Sequence, residues 1–126
     1  MKQIERKMIG VYFQTWSSKW VANYEDMVLL KLTQDLTHLD PRINIVYLAF
    51  AQPQNTYANH SWNGTGLDFC QDFSVVKKAI DSLIARRVQV VLSVGGSDYP
   101  WDNYTLNSIQ LAKDLGCTGI DIDWYV

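Results

Sequence analysis

Asp121 and Asp123 stand two residues apart in the run Gly119-Ile120-Asp121-Ile122-Asp123. On a strand, positions i and i+2 face the same side. The spacing therefore sets two carboxylates side by side on one face of a run whose other residues are small or apolar. Like charges so close repel when both are ionised, and a buried carboxylate needs a partner. Such a pair suits proton chemistry. Tyr125 closes the same stretch, beside Trp124. A second group, Ser93, Gly95 and Gly96, ends another apolar run. Taken alone, Gly95-Gly96 reads as a strand-to-loop turn and Ser93 as a satisfied core hydroxyl. Tyr12, Phe13 and Trp16 follow a further apolar run; most of the chain's aromatics read as core, and a minority as flat rings of the kind that pack against the C–H faces of pyranose sugars.

The elements that must position these residues follow from apolar periodicity. Residues 8–13 are rich in β-formers and read as a first strand. Residues 24–39 read as a helix, with Met27, Leu30 and Leu36 on one face and Leu29 and Leu32 broadening it. Residues 43–51 form a nearly all-apolar second strand of the kind found in parallel sheets. Residues 52–71 are a long polar loop, a length that marks a functional or mobile segment. Asp72 is placed to cap a helix over 73–87, whose apolar stripe is Val76, Ile80, Leu83 and Ile84. Residues 88–94 read as a third strand and 97–104 as a loop. Residues 105–115 read as a helix stopped by Gly116, and the Asp121 stretch as the fourth strand. Alternation of this kind gives an α/β fold with right-handed crossovers. Both a small open doubly wound sheet and part of a (β/α)8 barrel fit, a complete barrel needing roughly 250 residues. In either, ligands bind at the C-terminal ends of the strands, where the special residues converge.

A chain of 126 residues supports one domain with a real core, and 48% hydrophobic against 19% charged residues excludes a disordered chain. The net charge of −2 carries no footprint for nucleic acid or for an anionic membrane surface. No run is long and apolar enough for a membrane span, and the residues 1–13 lack the pattern of a signal peptide. The glycosylation sequons at Asn59, Asn63 and Asn103 are accordingly read as chance matches, and the compartment is left open. Cys70 and Cys117 imply no disulfide framework and are expected as two free, inert thiols.

Ser93-Val94-Gly95-Gly96 resembles the Ser-x-Gly-Gly motif of family-18 glycoside hydrolases, the chitinase family. Gly119-Ile120-Asp121-Ile122-Asp123-Trp124 is similar to the core of that family's fourth-strand signature, Asp-x-x-Asp-x-Asp-x-Glu. The order and separation of the two motifs fit, as do the aromatic first strand and a second strand ending Leu48-Ala49-Phe50-Ala51. The resemblance runs over roughly residues 8–126 and matches the first half of the family's barrel. It implies a single partial catalytic-type domain over residues 1–126, built as the first four βα units of a (β/α)8 barrel: a truncated half barrel. It implies chitin-type, N-acetylglucosamine-containing saccharide as ligand, with Tyr12, Phe13, Trp16, Ser93, Gly95, Gly96, Trp101 and Trp124 around it. The implied chemistry is substrate-assisted hydrolysis, in which the 2-acetamido group is the nucleophile, and it calls for no metal or cofactor. Asp123 matches the residue that orients the acetamido group, and Asp121 the one that shares a proton with it.

The sequence also departs from the signature. Its first Asp falls on Thr118, and the general-acid Glu either falls on Tyr125 or is deleted, with Tyr125 standing for the Tyr that often follows it. A phenol with a pKa of about 10 is a poor acid near neutral pH, and loss of a general acid removes about 10²–10⁴-fold of rate. A chitinase-like domain with impaired catalysis is therefore expected. Beside it stand a non-functional remnant of the family and two working alternatives. One is an active glycosidase completed by further strands or by a second chain, with Asp98 or Asp102 as substitute acids. The other is a nucleotide-sugar-binding domain in which Asp121-Ile122-Asp123 holds a metal. Half a barrel leaves open strand edges, which invite pairing as a homodimer or with a C-terminal half barrel.

Overall fold

The structure, a computed structural model, describes residues 7–30 and 36–123. Its strands are β1 (Gly10–Gln14), β2 (Ile45–Ala51), β3 (Gln89–Gly95) and β4 (Gly119–Asp123). Its helices are α1 (Tyr24–Leu30), α2 (Phe73–Ala85) and α3 (Asn107–Leu115), with one turn of 3₁₀ helix at Thr15–Ser17. All strand pairs are parallel and the sheet order is β1-β2-β3-β4. That order decides between the two architectures the sequence leaves open. A doubly wound sheet reverses its strand order at a switch point. Here each strand pairs with the next in sequence, as in a stretch of (β/α)8 barrel.

Alternation along the strands separates two faces. Val46, Leu48, Val90, Leu92 and Val94 are buried and form the main core with Val76, Ala79, Ile80 and Leu83 of α2 and Leu111 and Leu115 of α3. The α2 residues recur at the three- and four-residue spacing that makes one helical stripe. The opposite face carries Tyr12, Tyr47, Val91, Ser93, Asp121 and Asp123, as the register requires: Tyr12 pairs with Tyr47, Tyr47 with Val91, Ser93 with Asp121, and Gly95 with Asp123. At the β4 edge, Ile120 and Ile122 lie on the helix-side face yet are exposed.

Several element ends differ from the sequence reading, each for a local reason. α1 is described over Tyr24–Leu30 and residues 36–39 form a turn, while 31–35 lie outside the described residues, Leu32 among them. Met27 and Leu36 are buried as expected, but Leu29 is 74% exposed and broadens no apolar face. α3 starts two residues later than expected, because Thr105 is committed elsewhere: its N–H donates to the Pro53 carbonyl and its hydroxyl to the Asn55 carbonyl. Asp72 occupies the N-cap position of α2, and its carbonyl accepts from Val75 and Val76, but its side chain makes no capping bond. Gly116 stops α3 as expected, in the left-handed conformation at φ 78°.

The segment 52–71 is packed. Tyr57, Leu67 and Phe69 join the core, and Asn55 and Thr65 are fully buried. The Thr65 carbonyl accepts from the Gln52 N–H at 2.7 Å and from Asn55 Nδ2 at 3.2 Å. The segment also reaches the end of β1, where the Asp68 N–H donates to Thr15 Oγ1 at 3.0 Å and the Cys70 N–H to Ser18 Oγ at 2.9 Å.

Candidate functional site

Ser93 sits in the middle of the sheet with its side chain fully buried. Its hydroxyl donates to Asp121 Oδ2 at 2.8 Å, across the β3–β4 register in which the two residues are direct partners. Asp123 lies one register step further towards the strand ends, opposite Gly95, on the same face. Both carboxylates are partly exposed. The expected pairing of two acids on one strand face is therefore present, and one of them is held by a buried hydroxyl. Among the described residues, no cluster of three His, Cys, Asp or Glu groups is placed to hold a metal ion.

Gly95 and Gly96 are more than a turn. Gly95 has φ 111°, and a Cβ there would lie 2.3 Å from the Asp123 carbonyl oxygen and 2.9 Å from Trp101 Cζ2. Gly96 has φ 87°, and a Cβ there would lie 3.3 Å from the Phe50 ring. The Gly96 N–H donates to the Asp123 carbonyl at 2.8 Å. Left-handed backbone and close approach both call for glycine. The pair thus brings β4, Trp101 and Phe50 together around the end of β3.

The aromatic residues divide. Tyr12 is 49% exposed and stacks on Tyr47 at 4.9 Å, with Phe50 at 5.7 Å. Trp16 is 51% exposed and lines a cleft of about 270 Å³ with Phe50, Asp68, Gly95, Asp98 and Tyr99. Trp101 is partly buried against the core and under Gly95. Phe13 does not join them. It is 6% exposed, on the helix-side face, with its ring 6.0 Å from that of Phe69. It is a core residue, because strand alternation turns it away from the face that Tyr12 occupies. Trp124 and Tyr125, the remaining expected site residues, lie outside the described residues.

The sequence reading missed Phe50, Asp68 and Tyr99. A register shift between Leu48 and Ala51 sets both of those residues on the core side and leaves Phe50 beside Tyr12 and Gly96. The Tyr99 phenol is held above its usual pKa, first by burial and then by the Asp68 and Asp98 carboxylates. Asp98, weighed as a substitute acid, lines this cleft, whereas Asp102 is absent from its lining and contributes a backbone carbonyl to Gln54 Nε2.

No family profile matches the sequence. Two solved structures share the fold. One is the protein assigned as chitinase A in Streptomyces coelicolor, with a TM-score of 0.61 and 19% identity over 94% of this chain and 40% of that one. The other is a GH18 chitinase from Pseudoalteromonas aurantia, with a TM-score of 0.54 and 19% identity over 94% of this chain and 41% of that one. The chain spans about two fifths of the length of these proteins. Sequential parallel strands and this likeness agree: the chain carries a partial chitinase-like fold, that of the family-18 glycoside hydrolases.

Proposed function

We propose that the chain is the first four βα units of a (β/α)8 barrel and takes chitin-type, N-acetylglucosamine-containing saccharide at the C-terminal ends of its strands. The observation that carries this reading is the Ser93 Oγ to Asp121 Oδ2 bond, with Asp123 on the same face. In a substrate-assisted reaction the acetamido oxygen attacks the anomeric carbon, and the protein must orient that group and stabilise the positive charge that develops on it. Asp123, nearest the strand ends, serves to orient it. Asp121 lies one step below, and with Oδ2 engaged by Ser93 its other oxygen is left to share a proton with Asp123. Tyr12 and Trp16 present exposed rings to sugar faces. Proton donation to the leaving oxygen falls to the position of Tyr125, which is not a carboxylic acid, so the isolated chain binds saccharide and hydrolyses it poorly or not at all.

Calorimetric titration with chitooligosaccharide tests binding: heat is expected, and its absence at millimolar ligand sinks the reading. Release of fluorophore from a chitobioside by this chain alone would instead favour an active glycosidase with another acid, and Asp98 in the cleft is the group to replace first. The exposed Ile120 and Ile122 on β4, the outermost of the described strands, support pairing with a second copy or with a C-terminal half barrel.

A further inference from the structure

At the opposite end of the sheet, below the N-terminal ends of β2 and β3, lies a cavity of about 320 Å³. Among the described residues its lining includes Arg42, Arg86 and Arg87 and a single acid, Asp40. Asp40 is already engaged: Arg42 Nη2 and Nε reach its two carboxylate oxygens at 2.7 and 3.0 Å. Among the described residues, neither Arg86 nor Arg87 takes part in an ion pair. Two arginines thus line one cavity with no ion-pair partner among the described residues, on a chain whose net charge is −2.

The backbone supplies a second observation. α2 and α3 end in the same hydrogen-bond motif. At α3, Gly116 N–H donates to the Lys113 carbonyl and Cys117 N–H to the Ala112 carbonyl. At α2, Arg87 N–H donates to the Ile84 carbonyl and Val88 N–H to the Leu83 carbonyl. The residue at the turning point is left-handed in both, with φ 78° at Gly116 and φ 65° at Arg87. Glycine is the residue this position favours, since it has no Cβ to clash there. The chain uses glycine at one helix end and holds an arginine, in a disfavoured conformation, at the other. Closing the helix does not need that side chain. Basic groups near a helix C-terminus do complement its dipole, but a residue one position away would do so without the backbone strain.

We infer that Arg86 and Arg87, with Arg42 at the rim, form a binding site for an oxyanion of the phosphate class at the end of the sheet remote from the Asp121–Asp123 pair. Planar guanidiniums recognise such oxygens by paired, charge-assisted hydrogen bonds. The site is independent of saccharide binding.

The probe is inorganic phosphate, followed by ³¹P NMR line broadening as the full chain is titrated at constant ionic strength, with melting temperature measured in phosphate-free chloride. Wild type should broaden the signal. Arg87→Gly should weaken binding about tenfold, the loss of one charge-assisted contact, while melting no lower than wild type, because glycine suits the turn. Arg86→Gln should weaken binding similarly without touching the left-handed position. No broadening by wild type overturns the proposal. So does full phosphate binding by Arg87→Gly together with an unchanged or raised melting temperature, which would leave the arginine without a role at this cavity.

Discussion

Ser93 and Asp121 are direct register partners on β3 and β4, and the serine hydroxyl donates to the carboxylate at 2.8 Å. The donor comes from a fully buried residue inside the sheet, and the acceptor stands on its outermost described strand. The bond therefore ties the acid to the buried interior of the sheet. Ser93→Ala should lower stability by about 1–2 kcal/mol, the worth of a hydrogen bond to a partly exposed charged group. Urea unfolding measures it. An unchanged midpoint would mean that the bond contributes nothing to folding.

The two glycines of the same strand end should respond unequally. At Gly95 an added methyl meets backbone, at 2.3 Å from the Asp123 carbonyl oxygen, whereas at Gly96 it meets the Phe50 ring at 3.3 Å. Gly95→Ala should cost about 2–3 kcal/mol and detach the end of β4. Gly96→Ala should cost about 1–2 kcal/mol, mainly for the left-handed backbone. Denaturant midpoints of the two variants compare them, and the reverse order would contradict the close approach at Gly95.

Tyr57 and Asp114 tie the long segment after β2 to α3. The phenol donates to Asp114 Oδ2 at 2.6 Å, and Asp114 is held below the usual carboxylate range, first by that bond and then by Gln110. Burial, then the same carboxylate, pushes Tyr57 up to about 12. A depressed acid contributes stability above its unfolded pKa and loses it as pH falls through the folded value. A raised phenol contributes stability below its unfolded pKa of 10.0 and loses it as pH rises towards about 12. Tyr57→Phe should therefore flatten the melting-temperature profile on both limbs, below about pH 4 and above about pH 10. A variant profile parallel to wild type at both ends would count against the linkage.

The two cysteines are free, as expected, but differ in exposure. Cys70 is exposed, while burial pushes the Cys117 thiol up to about 12. Thiolate is the reactive form. Under native conditions a disulfide reagent should modify Cys70 quickly and Cys117 only on unfolding. Mass spectrometry of the labelled chain locates the modification, and fast labelling at Cys117 would show that the α3–β4 corner opens readily.

Much of this protein is written along the chain. Apolar runs such as Ile45–Ala51 and Gln89–Gly95 can be stable only inside a sheet covered by helices, so the alternation of strand and helix was legible from local pattern alone. The spacing of Asp121 and Asp123 fixed a shared face, because strand side chains alternate. The same rule, applied to adjacent Tyr12 and Phe13, would have assigned only one of them to the site. What the chain could not state locally was strand order, since singly and doubly wound sheets share one pattern of elements. The partner of Asp121 was equally hidden: Ser93 lies 28 residues away, and only the β3–β4 register brings the two into contact. The cleft that Trp16, Asp68 and Tyr99 share and the cavity of Arg42, Arg86 and Arg87 also required folding, because each is assembled from loops or element ends whose sequences carry no common period. Local periodicity reports what a segment must bury; which segments then meet is settled by how their buried faces pack.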